Sequence, residues 1–261
     1  MERLKLYISP CPNDTFMFDG WLNGALQGEE HPRVECSFFD IEELNDRLLR
    51  GEPEISKASF ALLPEIKHQY RLLDSGAALG RGNGPLLVRR QGDQSPLRRV
   101  AVPGLHTTAC ALMRRLYPEI EELSPMLFSE IAEAVEQGHF DGGVLIHEGR
   151  FVYQRRSLEL VCDLGLAWEE RTALPLPLGA IVIRRDLPAR LQQQVEETLR
   201  KSIRFAFDHP LHSRPFVKAH ARELEDRVID QHINLFVNDF SLSLGEEGRR
   251  AVKELIGDLD L

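Results

Sequence analysis

The chain has 261 residues, 43% of them hydrophobic and 28% charged, with a formal net charge of −9. That length allows one large domain or two smaller ones with a real core, and the acidic balance argues against a nucleic-acid binder, which normally shows a basic stripe. No apolar run approaches the roughly 18 residues that cross a bilayer. The amino terminus, Met1-Glu2-Arg3-Leu4-Lys5, lacks the apolar core of a secretory signal, and Cys11, Cys36, Cys110 and Cys162 are scattered without a C-x-x-C pair. Free thiols in a reducing cytoplasm are therefore expected.

In chain order, Leu4, Leu6 and Ile8 alternate as a first strand. Ser9-Pro10-Cys11-Pro12-Asn13-Asp14-Thr15-Phe16 follows. Its two prolines bar a regular continuation, which predicts a rigid loop with Asn13 or Asp14 capping a helix. In an α/β protein such a loop lies at the ligand-binding end of the strand, although a Pro-rich turn also serves simply as a cap. A strand at 34–39 leads to a helix begun at Asp40, with Glu43 at capping-box spacing and Gly51 as its stop. A strand at 54–57 then delivers Ser56-Lys57-Ala58-Ser59 to the start of another helix. A lysine there either snorkels outward or meets an anion.

Further on come a strand at 99–102 and a helix over 106–117, opened by Pro103-Gly104-Leu105-His106-Thr107-Thr108. Free N–H groups and two threonine hydroxyls at that helix start suit a carboxylate, while Thr107 alone also suits a plain N-cap. Ser129 and Gly138 bracket the next helix, and a strand at 142–146 ends in His147-Glu148. A histidine at a strand's carboxyl end is either a proton-transfer group facing a cleft or a buried ring satisfied by backbone. Glycines 142 and 143 imply close backbone approach there. Strands at 158–162 and 180–183 precede a helical remainder from about 188, interrupted near Pro210, Pro215 and Asp239-Phe240.

The order helix, glycine, acidic residue, strand occurs once in each half, at Gly51 to Ser59 and at Gly138 to His147. This predicts an α/β fold of two similar lobes, joined by crossing segments near Leu87-Val88-Arg89 and Ala180-Ile181-Val182. One lobe is residues 1–89 plus 182–261 and the other is 90–181, with a ligand cleft between them. Gly76 to Pro85 is glycine-rich but lacks the spacing of a nucleotide-binding loop. The histidines are dispersed, so no metal site is expected.

Several segments carry a resemblance: the opening octapeptide, Ser56 to Phe60, Gly76 to Pro85, His106-Thr107-Thr108-Ala109, Gly-Val-Leu-Ile-His-Glu-Gly-Arg-Phe around His147, Trp168 to Gly179, and Phe236 to Ser241, where structural roles are expected. The chain resembles the 1,4-dihydroxy-6-naphthoate synthase family of the futalosine route to menaquinone. The resemblance implies a periplasmic-binding-protein type II-like fold and His147 as general base. It implies substrate contacts at Lys57, Ala58, Ser59, Thr107 and Thr108, to which the loop residues Ser9, Asn13 and Asp14 are added, and it places 168–179 along the cleft. The implied reaction is cleavage of cyclic dehypoxanthine futalosine to 1,4-dihydroxy-6-naphthoate with release of dihydroxyacetone, without cofactor or metal. The expected partner is a small anionic aromatic substrate, with neither nucleic acid nor membrane, for a cytoplasmic monomer or homodimer. Two alternatives share the fold: chorismate dehydratase, whose amino-terminal loop differs, and a binding receptor, which normally carries a signal segment.

Overall fold

The computed structural model describes residues 3–26, 31–82, 84–147, 149–221 and 225–258. The chain opens with β1 (Leu4–Ile8), α1 (Pro12–Leu22), β2 (Val34–Phe38), α2 (Ile41–Leu49), β3 (Ile55–Ser59), α3 (Leu63–Ile66), β4 (Tyr70–Leu72) and β5 (Ala78–Gly80). It continues through β6 (Leu86–Arg90), β7 (Arg99–Val102), α4 (Thr108–Leu116), β8 (Glu122–Pro125), α5 (Phe128–Glu136), β9 (Gly142–Leu145), α6 (Gly149–Val152), β10 (Leu158–Asp163) and α7 (Leu164–Thr172). The long β11 (Leu176–Arg184) leads to α8 (Ala189–Asp208), α9 (Arg214–His220), α10 (Asp226–Phe236), α11 (Asp239–Leu242) and α12 (Gly245–Ile256).

Among the described residues the strands form two mixed sheets. The first runs β2-β1-β3-β11-β4, with β5 also on β11, and the second runs β10-β6-β9-β7-β8. The pairs β1–β2, β1–β3, β7–β8 and β7–β9 are parallel, so helices must carry the chain back over the sheet faces. In the first lobe β1 and β11 pack on α1 and α8 through Leu6, Ile8, Ile181, Met17 and Leu199. The opposite face of the same sheet is covered by Leu48, Phe60 and Val252. α1 is buried almost all round, and Ser202 Oγ of α8 fixes it by donating to Met17 O (2.6 Å) and accepting from Trp21 N (3.0 Å).

Both crossing segments lie a strand away from the expected boundaries. β6, residues 86–90, already belongs to the second sheet, and β11 is in the first sheet from Leu176 onward. The chain therefore crosses between Gly80 and Leu86 and returns between Thr172 and Leu176. The two apolar segments look like connectors in the sequence because both are buried; in the structure each is a full ladder strand. Pro177, which has no ladder donor, is accommodated at a register shift between Pro177 and Gly179. Two helix starts also differ. α1 begins at Pro12 with Cys11 as N-cap, putting Asn13 and Asp14 in the first turn, and α5 begins at Phe128, one residue ahead of Ser129. A proline at the first helical position already has the required φ and loses no needed donor.

Candidate active site

The carboxyl ends of β1, β3 and β9 and the start of α4 meet where the two lobes face each other. The cleft between them, partly open to solvent, holds about 670 Å³ of space between its walls. Ile41, Ala78, Pro85, Ile146, Leu178 and Phe236 give it apolar walls, and Ser9, Asn13, Lys57, Ser59, Thr107, Thr108, His147 and Arg150 bring polar groups.

β3 is buried along its whole length, although three of its five residues are polar. Such a strand is tolerated only if each polar group finds a partner. Lys57 Nζ meets Asp14 Oδ1 at 2.5 Å, and the second carboxylate oxygen accepts from Ser9 N (3.1 Å) and Ser9 Oγ (2.8 Å). Asn13 Nδ2 adds a further bond to Oδ1 at 2.8 Å. Asp14 is thus fully buried, away from the cleft, and it fixes the loop and the lysine instead of reaching a ligand. Ala58 also does not reach the cleft: its side chain sits in the first-lobe core and its backbone pairs with Ala180. Gly179 of β11 is what makes room for the lysine, since a Cβ there would lie 2.6 Å from Lys57 Cε.

Ser59 Oγ accepts from Asn45 Nδ2 at 3.0 Å and lines the cleft, so its own proton has no acceptor among the described residues. The threonines behave differently. Thr107 caps α4, its Oγ1 accepting from Cys110 N (3.2 Å) and donating to Gly104 O (2.7 Å). Thr108 Oγ1 donates to Leu178 O across the lobes at 3.0 Å. Both hydroxyl protons are therefore spent on carbonyls. What α4 offers a ligand is the pair of first-turn amides of Thr108 and Ala109, which have no intrahelical acceptor, together with the positive end of the helix dipole.

His147 follows β9 with φ of +52°, a left-handed conformation rare for a residue with a side chain. Its Nδ1 lies 3.4 Å from Cys11 Sγ of the other lobe. Its ring meets the edge of Phe128 at 4.9 Å and stacks nearly parallel on His232 at 5.9 Å. Glu148, the next residue of the motif, and Asn83 of the glycine-rich turn lie outside the described residues.

Three further residues contribute, of which only Phe236 stands out in the sequence, in a segment expected to be structural. His232 of α10 is 1% exposed, and its Nε2 is 3.0 Å from Asn13 Oδ1. Because Asn13 Nδ2 faces Asp14, its Oδ1 must face His232, so Nε2 carries the proton. Burial, then the charges of His147, Lys57 and Arg150, hold His232 well below the ordinary histidine range, so it is neutral. The signal was present: Val228, His232 and Phe236 recur at helical spacing, a polar residue on an apolar face. Arg150 of α6 donates to Gly84 O (2.8 Å) and stands 3.7 Å from Asp163; burial pulls its pKa below the usual arginine value. Phe236 closes the cleft against His232.

Of the 168–179 stretch, Leu178 and Gly179 line the cleft, whereas Trp168 is packed in the second-lobe core with Nε1 on Pro175 O at 3.1 Å. His106 braces the lobe seam: its N and Nδ1 approach Glu42 Oε1 at 3.1 and 3.0 Å. Among the described residues Glu42, Asp46 and His106 alone bring three potential metal donors together, with Asp46 3.8 Å from His106 Nδ1. No described helix is long and apolar enough to cross a membrane.

Residues 4–259 match the family model described as menaquinone biosynthesis. The chain belongs to that family. Within the menaquinone-biosynthesis family it is similar to the 1,4-dihydroxy-6-naphthoate synthase of Thermus thermophilus, 45% identical over 262 residues and covering 100% of this chain and 95% of the relative. The enzyme of the same name from Streptomyces coelicolor is 42% identical, over 98% of this chain and 92% of the relative. In fold the chain is similar to the Candida albicans CA3427 gene product, which exhibits the generic periplasmic binding protein fold, with a TM-score of 0.75, 10% identity and coverage of 100% and 92%. The two-lobed periplasmic-binding-protein-like architecture expected from the sequence is the one found.

Proposed function

We propose that this chain is a 1,4-dihydroxy-6-naphthoate synthase, a carbon–carbon lyase that cleaves cyclic dehypoxanthine futalosine to 1,4-dihydroxy-6-naphthoate and dihydroxyacetone. The observation that carries the reading is the similarity to synthases of that name along the whole chain, joined to a histidine at a strand end in the interlobe cleft. His147 acts as general base, the commonest role of a histidine side chain placed at a reacting centre. The first-turn amides of α4 and the guanidinium of Arg150 receive the aryl carboxylate, and Ser59 donates to a sugar oxygen. Apolar walls from both lobes flank the aromatic ring and keep water from the reacting centre. The partner is thus a small anionic aromatic molecule, handled in the cytoplasm.

The test is incubation of the purified protein with cyclic dehypoxanthine futalosine, followed by mass spectrometry for the naphthoate. Its absence from reactions of folded protein overturns the reading. His147→Ala is expected to bind the substrate normally and to lose turnover by roughly 10²–10⁴-fold, the contribution of a positioned base. Turnover close to that of the unmodified protein would remove the imidazole from that role.

A further inference from the structure

Cys11 occupies the N-cap of α1 yet its side chain makes no capping hydrogen bond. That position favours an oxygen side chain that accepts from the first helical turn, and a thiol serves poorly there. Instead Sγ points across the cleft to His147 Nδ1 at 3.4 Å. Its backbone is tightly held: the amide donates to Ser9 Oγ (3.3 Å), and the carbonyl accepts from Asp14 N, Thr15 N and Thr15 Oγ1, each at 3.1 Å. From the opposite lobe, His147 adopts its left-handed backbone, a strained conformation that persists where surroundings enforce it. Two constrained side chains from different lobes therefore converge on one contact.

We propose that Cys11 is a positioning residue for His147: its sulfur accepts the Nδ1–H of the imidazole and thereby leaves the lone pair on Nε2. The inference deepens the reading of His147 as the base and rests on it. The opposite polarity, S–H donating to Nδ1, would put the ring proton on Nε2 and give a ring unable to accept there. His232 supports the arrangement from the ring face. It is neutral and anchored through Asn13 to Asp14, so it holds the plane of the imidazole without adding a second positive charge when His147 takes a proton. Because Sγ and Nδ1 come from different lobes, the oriented base exists only while the lobes are apposed. A separated pair leaves His147 free to take the Nε2–H tautomer.

The deciding measurement is two-bond ¹H–¹⁵N spectroscopy of protein labelled at histidine nitrogen, which reads the tautomer of His147 directly, with His147→Ala assigning the signals. The Nδ1–H tautomer is expected in the unmodified protein and in Cys11→Ser, whose oxygen also accepts. Cys11→Ala is expected to shift the ring to Nε2–H. In turnover assays Cys11→Ala is expected to lose about 10–100-fold in kcat, the usual loss when a group orienting a functional histidine is removed, with KM unchanged, and Cys11→Ser to recover most of it. An Nε2–H tautomer in the unmodified protein, or unaltered kcat in Cys11→Ala, would overturn the proposal. The spectrum needs no substrate, so a protein that makes no naphthoate but shows the Nδ1–H tautomer would refute the assigned reaction and leave the positioning contact standing.

Discussion

Lys57 and Asp14 form an ion pair with side chains 6% and 0% exposed. Removing one partner of such a pair strands a buried charge, whereas removing both does not. Lys57→Met should therefore cost about 3–5 kcal/mol in urea unfolding, and the double variant Asp14→Asn with Lys57→Met should regain much of it. Equal losses in the single and double variants would show that the pair is not the source. His232 sets a pH dependence. Unfolded, it protonates near 6.5; folded, burial and the facing His147, Lys57 and Arg150 resist its proton. Between those two values the unfolded chain binds more protons, so stability is retained above about 6.5 and falls as pH drops below it. The slope approaches about 1.4 kcal/mol per pH unit for one proton. His232→Gln should flatten the urea-midpoint profile between pH 5 and 8, and an unchanged profile would contradict the assignment. The candidate site was legible where chemistry sat in a recognisable run: Ser9, Asn13, Lys57, Ser59, Thr107, Thr108 and His147 all line the cleft. Asp14 and Ala58 do not line the cleft, because successive side chains alternate faces along a strand and step about 100° around a helix, which a motif does not reveal. His232 went unread because its partner, Asn13, is 219 positions away.

Elements with strong periodicity were readable: α2, α4 and α5 appear within a residue or two of their expected bounds, as do β1, β2 and β9. Asp40 caps α2 through Ile41 N at 2.7 Å, while Glu43 turns to Arg47 instead of closing a capping box. β4, β5 and β8 were not anticipated, since three or four residues are too few for alternation to show; β4 and β5 exist because the longer β11 supplies their ladder, and β8 pairs at the edge with β7, which is no longer than itself. α7 was missed because its apolar residues are spread around the helix. The glycines at 142 and 143 do mark a close approach, but at Gly143 the visitor is α5, with Ile131 and Val135 against the position a side chain would take. A backbone-to-backbone contact joins Gly165, at the start of α7, to Gly84 beside the crossing into the second lobe. A Cβ on Gly165 would fall 2.5 Å from Gly84 Cα, against backbone that cannot rotate away. Gly165→Ala should destabilise by roughly 1–3 kcal/mol, as overpacking does, seen as a lower Tm in calorimetry. An unaltered Tm would mean that the two segments separate freely.

At the scale of the molecule, the seam between lobes is bridged on several sides. Glu42 holds the turn before α4 through His106, Arg115 meets Glu254 at 2.8 Å, and Arg155 meets Glu225 at 2.9 Å. The arginine pairs are solvent-exposed and each contributes little. Glu42 is more enclosed and accepts two hydrogen bonds from one residue of the other lobe. Glu42→Ala should weaken the closed arrangement. Apparent substrate affinity should fall roughly tenfold, about the worth of one charge-assisted hydrogen bond, with kcat little changed. A kcat loss at constant KM would instead place Glu42 in the chemistry.

The position of β11 has a consequence for how the molecule is made. The first sheet cannot be completed until residues 176–184 join β3 to β4 and β5, and those residues emerge only after the whole of 86–172. The second lobe is continuous in the chain and has every strand of its own sheet before that moment. On the ribosome, where the usual order of maturation runs from the amino terminus, this topology is expected to invert it: the later-made lobe can close first, while the segment that bears Ser9, Cys11 and Lys57 lacks its β11 partner until that strand is translated.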